Sequence, residues 1–100
     1  MDKIEDIMIK YPDKLPLHIS IKYTNNNSTP TKKFLVPKNL IIRELIFIMK
    51  QKMHLHHTQS IYFAHKDKLL NNDNLIIDVY ERYNENKVLY LTVELEKFFG

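Results

Sequence analysis

Glycine is almost absent from this chain, whose 100 residues contain one, at position 100. An average soluble domain of this length holds about seven glycines, many of them in turns. The predicted turns are rich instead in Asn and Asp, which also tolerate left-handed backbone; they occur at 25–27, 71–74 and 84–86. We therefore expect a fold whose turns are made by these residues.

The single glycine, Gly100, follows Phe98 and Phe99 after an apolar segment typical of a strand. Because it lacks a Cβ, a terminal glycine can pass through a narrow channel and present an uncrowded carboxylate for acyl transfer. The alternative is that its position at the end of the chain has no function. The residue alone leaves both interpretations open.

Length and composition indicate one folded domain of cytosolic type. The 100 residues are 44% hydrophobic and 27% charged, which suits a single core. The absence of cysteine excludes a disulfide scaffold, a thiol nucleophile and a zinc–thiolate site. No apolar run approaches the roughly 20 residues that span a bilayer, and the first six residues are too charged for a signal peptide. The net charge of +3 comes from scattered lysines, so no nucleic-acid surface is expected.

Hydrophobic periodicity predicts most of the secondary structure. Helical spacing predicts a short N-terminal helix over Lys3–Lys10. Strands are predicted at Leu17–Tyr23, Lys32–Val36, Ser60–Ala64 and Val88–Val93, a short helix at Leu75–Tyr80, and a tail at Glu94–Gly100. The second strand is closed by a proline, which favours an edge position. The last strand is fully apolar, which favours a central one.

A longer helix is predicted from Ile41 to His54, with Asn39 as its N-cap. Its residues Leu45–Met49 are apolar in succession, so the helix is apolar on more than one face. One face must meet the sheet. The second is either covered by protein or left as a groove for a partner.

The order strand, strand, helix, strand, short helix, strand is that of the β-grasp fold of ubiquitin. We therefore predict an α+β domain over residues 1–100, with a mixed four-stranded sheet wrapped on one long helix. Residues 1–10 form a short N-terminal helix, and residues 94–100 form a C-terminal tail.

Three segments resemble those of the GABARAP and microtubule-associated light-chain family, the lipid-conjugated ubiquitin-like modifiers of autophagy. They are Lys10–Leu17 (KYPDKLPL), Lys32–Pro37 (KKFLVP) and Val79–Tyr83 (VYERY). The resemblance runs from about Lys10 to the C-terminal Phe-Phe-Gly with nearly constant spacing.

The resemblance implies a function for the terminal glycine. Gly100 is expected to be activated by a ubiquitin-type activating enzyme, passed to a conjugating enzyme and joined to phosphatidylethanolamine. A cysteine protease is expected to process or deconjugate the protein. The chain is then a substrate without catalytic residues or cofactors, cytoplasmic when free and attached to an autophagosome or related membrane when lipidated.

The resemblance also implies that peptides of aromatic-x-x-aliphatic type, carried by cargo receptors, bind along the second strand by β-augmentation. The aromatic pocket falls on Ile7, Pro16, Lys33, Leu35 and Val88. The aliphatic pocket falls on Phe34, Val36, Pro37, Leu40, Leu45 and Ile48. Lys32 and Lys52 are expected to meet acidic residues that flank the peptide. Without the resemblance, the apolar members would be interpreted as core, and Lys32 with Lys33 as a solvated pair that protects an edge strand.

The chain departs from the family pattern at several positions. The first of the family's two N-terminal helices is not evident. Val88 replaces a larger aromatic residue, His18 stands where an aliphatic residue is usual, and Lys3 lies where an acid is usual. These differences predict a divergent member with altered peptide preference.

Three alternatives remain. A modifier of the same fold can be conjugated to a protein lysine instead of a lipid, and a non-covalent adaptor would never use Gly100. The third alternative is a metal-dependent enzyme that uses His54, His56 and His57. Because no cysteine or acidic pair accompanies these histidines, no metal site is expected, and they are interpreted as the solvated end of the long helix.

Overall fold

The computed structural model describes residues 3–22, 31–55 and 60–95. They contain three helices and five strands. Their bounds are α1 Lys3–Lys10, β1 Lys14–Lys22, β2 Thr31–Pro37, α2 Ile42–Lys52, β3 Ile61–His65, β4 Lys68–Leu69, α3 Ile76–Tyr83 and β5 Leu89–Leu95.

The strands form one mixed sheet in the order β2-β1-β5-β3-β4. The central pair, β1 and β5, is parallel, and the other neighbours are antiparallel. The α+β β-grasp prediction is confirmed, with β2 at an edge and β5 in the centre. The sheet has five strands instead of four, because the two residues of β4 fold back onto β3 after the turn at Lys66 and Asp67.

Alternation along β1 separates a core face from an outer face of the sheet. Leu15, Leu17, Ile19 and Ile21 are all buried and point to the core. The register pairs Leu17 with Leu89 of β5, and Leu91 and Val93 continue the same buried face. Each fully buried aliphatic side chain of this kind stabilises the fold by about 1.5–3 kcal/mol.

Helix α2 covers the core face with three buried residues, Ile42, Leu45 and Met49. Phe47 points away from the core and is 62% exposed. Helix α3 contributes Ile76, Val79 and Tyr80 to the same cluster.

The N-cap of α2 is Ile41, so the prediction of Asn39 is wrong. Ile41 forms an isolated β-bridge with Leu75, which holds its backbone extended up to the first helical residue. Its N–H donates to the Glu44 carboxylate at 3.0 Å. The start of α2 is therefore fixed by the backbone pairing with Leu75 and by the Glu44 carboxylate, which accepts the Ile41 N–H.

Strand β5 runs past Glu94, the predicted start of the C-terminal tail, and residues 96–100 lie outside the described part of the chain. Glu94 and Leu95 belong to β5, where Glu94 pairs with both Lys22 and Tyr62, and Leu95 pairs with Ile61. The central strand is longer than its apolar run because it has a neighbour on each side.

The left-handed turn positions are mostly not Asn or Asp. Among the described residues, positive φ angles occur at His54, Lys66, Asn86 and Lys87. His54 lies two residues after the last residue of α2. Beside it the Leu55 N–H donates to the Lys50 carbonyl at 3.0 Å, as in a Schellman motif.

The asparagines act more through side-chain hydrogen bonds. Asn71, for example, accepts from the Asp73 N–H at 2.8 Å. The predicted turn at 25–27 lies outside the described residues.

Candidate functional site

Strand β2 ends the sheet and pairs with β1 alone among the described strands. Such an edge presents N–H and C=O groups that a further extended chain can pair with. The strand alternates its side chains between the two faces, with Phe34 and Val36 toward the core and Lys33 and Leu35 outward. A chain paired with this edge would lie beside both the core-facing and the outward-facing side chains of β2.

The outer face carries an apolar row across β1 and β2, which Val88 extends just before β5. Leu35 of β2 pairs with Pro16 of β1. Val88 directly precedes Leu89, the partner of Leu17, so the parallel register places Val88 beside Pro16. Leu35 is 39% exposed, whereas Pro16 and Val88 are buried. Helix α1, which carries half-buried Ile7, packs against β1.

The structure thus brings together Leu35, Pro16 and Val88. Lys33 is the next residue of β2 that points to the same face. Leu35 and Lys33 are the exposed members of this predicted aromatic pocket. Pro16 and Val88 are its buried members, and Val88 lies apart from the main core cluster. Ligand binding by this row stays a prediction.

The core-facing side of β2 meets α2. Phe34 is half-buried, and the Lys52 ammonium lies 5.9 Å from the centroid of its ring. The other partly exposed members of the predicted aliphatic pocket are Ile48 of α2, Pro37 at the end of β2 and Leu40 after it.

Two members of that set do not present a surface. Leu45 is 1% exposed and Val36 is 5% exposed, and both belong to the core cluster. The prediction that Leu45 lines a groove beside Ile48 is corrected accordingly, because Leu45 is part of the core. The family resemblance implied one pocket for both residues, whereas packing against the sheet buries Leu45 and leaves Ile48 half-buried.

We expect Leu45→Ala and Ile48→Ala to differ sharply in stability. Truncating a buried leucine leaves a cavity and costs about 2–5 kcal/mol of unfolding free energy. Ile48 is half-buried, so its truncation should cost less than about 2 kcal/mol. Urea denaturation of both variants measures the difference. Equal losses would contradict the placement of Leu45 in the core and Ile48 at its margin.

The charge beside β2 is positive. Lys32 and Lys33 are both exposed on the strand, and Lys52 reaches over Phe34 from the end of α2. Exposed lysines at an edge discourage uncontrolled strand pairing and attract acidic chains. Binding of acidic flanking residues by Lys32 and Lys52 stays a prediction.

His18 and Tyr90 form a second outer-face row with Lys33. Neither His18 nor Tyr90 belongs to the predicted set of site residues. His18 pairs with Lys33 on one side and Tyr90 on the other. The His18 and Tyr90 rings meet edge to face, with centroids 5.0 Å apart and planes at 88°. Burial lowers the pKa of His18 below 6.5, and the Lys33 charge lowers it further. The sequence signal for His18 is the alternation of side chains along β1, which places residues two apart, such as Pro16 and His18, on the same face.

A depression of about 640 Å³ lies beside the opposite edge of the sheet, between β4 and α3. Lys68, Leu69 and Tyr83 line it, and the Tyr83 ring stacks on buried His65 at 4.3 Å. Hydrogen bonds from Lys68 and then Arg82 lower the pKa of Tyr83. None of the predicted site residues lines this depression.

The remaining predicted functional residues are only partly described. Gly100, His56 and His57 lie outside the described residues. His54 is exposed at the end of α2, and the described part of the chain holds no group of three His, Cys, Asp or Glu residues suited to a metal ion. None of its described helices combines the length and apolarity needed to cross a membrane.

Comparisons with curated proteins point to one family. Autophagy-related protein 8i of Arabidopsis thaliana is 31% identical over 98 residues, covering 95% of this chain and 84% of that protein. Human microtubule-associated protein 1 light chain 3 gamma is 26% identical over 104 residues, covering 99% of this chain and 70% of its own.

Solved structures agree. Plasmodium falciparum Atg8, in complex with a P. falciparum Atg3 peptide, is 27% identical with a TM-score of 0.75, over 91% of this chain and 83% of that one. Trypanosoma brucei ATG8 shares the fold with a TM-score of 0.84 at 22% identity, over 97% of this chain and 85% of that one. The family model "Autophagy protein Atg8 ubiquitin like" matches residues 1–100. The chain therefore belongs to the Atg8 family of ubiquitin-like autophagy proteins.

Proposed function

We propose that this protein is an autophagy modifier joined through Gly100 to phosphatidylethanolamine. The match of residues 1–100 to the Atg8 family is the observation that carries the proposal. In this reaction Gly100 is the acyl donor and no residue of the chain is a catalyst. Placement in the GABARAP branch stays a prediction, based on the segments Lys10–Leu17 and Lys32–Pro37.

Activation requires a ubiquitin-type activating enzyme and a conjugating enzyme, with a cysteine protease to process or release the product. The complex of Plasmodium falciparum Atg8 with an Atg3 peptide supports a similar encounter here. The unconjugated protein would be cytoplasmic. Its lipidated form would be held on an autophagosome or related membrane by the acyl chains, whose burial contributes about 0.8 kcal/mol per CH₂.

The second part of the proposed function is recruitment of proteins through aromatic-x-x-aliphatic peptides on β2. In an extended chain, residues three apart point to opposite faces. The two anchors of such a peptide therefore reach different sides of the extended sheet. The aromatic anchor meets Leu35 and Pro16 on the outer face, and the aliphatic anchor meets Phe34 and Ile48 beside α2.

The test of conjugation is the intact mass of the endogenous protein from a detergent-extracted membrane fraction, with fragmentation to locate the modification. We expect phosphatidylethanolamine on Gly100. A bond from Gly100 to a protein lysine would assign the chain to the protein-conjugated alternative. A free carboxylate under autophagy-inducing conditions would identify a non-covalent adaptor.

A further inference from the structure

The two outer-face rows lie side by side. Leu35 and Pro16 form the apolar row, and Lys33 and His18 occupy the next outward positions on the same two strands. Two residues along a strand span about 7 Å. An aromatic ring seated on Leu35 and Pro16 and directed toward the start of β2 therefore brings its far edge to His18 and Lys33.

The polar groups at that edge differ in the hydrogen bonds that they can donate and accept. The Lys33 ammonium offers three donors and no acceptor. Burial and the Lys33 charge favour neutral His18, whose imidazole has one donor and one acceptor nitrogen. Tyr90 packs edge to face against the imidazole from the other side, which restricts the orientation of the His18 ring.

A phenol hydroxyl is both a donor and an acceptor. Placed between these groups, it can donate to the free imidazole nitrogen and accept from the ammonium. A phenylalanine ring in the same position satisfies neither group and removes water from both. An indole N–H can only donate, so it uses His18 but not Lys33.

We propose that His18 and Lys33 make the aromatic pocket selective for a tyrosine anchor, whose hydroxyl binds between them. This inference rests on the proposed peptide-binding function and adds the preferred anchor. His18 acts as a specificity residue that contacts the ligand, and Tyr90 acts as a positioning residue behind it.

A net hydrogen bond contributes about 0.5–1.5 kcal/mol at a site of this kind, which corresponds to roughly 2- to 12-fold in affinity. We therefore expect a tyrosine peptide to bind about 3- to 10-fold more tightly than the same peptide with phenylalanine. The two ligands differ by one oxygen atom, so the ratio cancels contributions from the rest of the peptide.

The experiment measures both peptides by calorimetry against the wild-type chain, His18→Ile and Lys33→Met. His18→Ile should bring the ratio close to one, mainly by weakening the tyrosine peptide, and Lys33→Met should lower it in part. Lys33 is exposed, so Lys33→Met tests the site even if His18→Ile unfolds. His54→Asn removes an exposed imidazole elsewhere, keeps a residue suited to positive φ and should leave the ratio unchanged.

An unchanged ratio in the folded variants, or a wild-type ratio near one, would overturn the tyrosine preference and leave peptide binding on β2 intact. Failure of both peptides to bind the wild-type chain would overturn the proposed peptide-binding function and, with it, the preference.

Discussion

Leu35→Asp is expected to reduce binding of an aromatic-x-x-aliphatic peptide by about 30-fold or more while the protein remains folded. Leu35 is the exposed apolar member of the outer-face row, opposite buried Pro16. An aromatic anchor seated there would cover the new carboxylate, and desolvating a charge without a partner is costly. A loss above 2 kcal/mol, typical of a central anchor contact, corresponds to that factor.

Leu69→Asp is the matched control. Leu69 lies on β4 at the opposite edge of the same sheet and is 59% exposed. Leu69→Asp therefore makes the same change at a surface leucine far from the proposed site. We expect wild-type affinity from this variant and similar urea midpoints for both. Unchanged affinity in folded Leu35→Asp would exclude the proposed site, and an equal loss in Leu69→Asp would show that charge alone explains the effect.

The sequence predicts the sheet well because strands with one buried face have a period of two. Ile19 and Ile21 alternate with His18 and Ser20, and the structure buries the first pair. Pro37 correctly indicated an edge strand. These signals are local, since each residue's face follows from its immediate neighbours.

Helix α2 shows where local signals fail. Its apolar residues are consecutive, so periodicity alone does not identify which side meets the sheet. Leu45 lies in the core, Ile48 is half-buried and Phe47 is exposed, although all three belong to one apolar run. Burial depends on which strands lie opposite, and that is a property of the assembled fold.

Some predicted ends of helices and strands are wrong for a related reason. The bridge between Ile41 and Leu75 fixes the start of α2, and two neighbours extend β5 through Leu95. The His18–Tyr90 contact likewise depends on the parallel register of β1 and β5. Pairings between distant segments leave no mark in a short stretch of sequence, so the polar row beside the aromatic pocket emerges only in the structure.

Gly100→Ala is expected to block conjugation. In the proposed reaction the acyl group would pass between thioesters of the activating and conjugating enzymes and then to an amine, and each transfer would require attack at the carbonyl carbon of residue 100. A Cβ beside that carbon restricts the backbone and crowds the incoming sulfur or nitrogen. Purified activating and conjugating enzymes with phosphatidylethanolamine vesicles provide the assay, and the mass of the product is the readout.

The same variant separates the two parts of the proposed function. All residues assigned to the peptide site lie between Ile7 and Tyr90, so Gly100→Ala should bind the tyrosine peptide as tightly as the wild-type chain. Leu35→Asp should show the reverse pattern, with conjugation retained and peptide binding lost. Efficient lipidation of Gly100→Ala would refute the assignment of Gly100 as the conjugated residue, whereas loss of peptide binding in that variant would show that the tail takes part in the binding site.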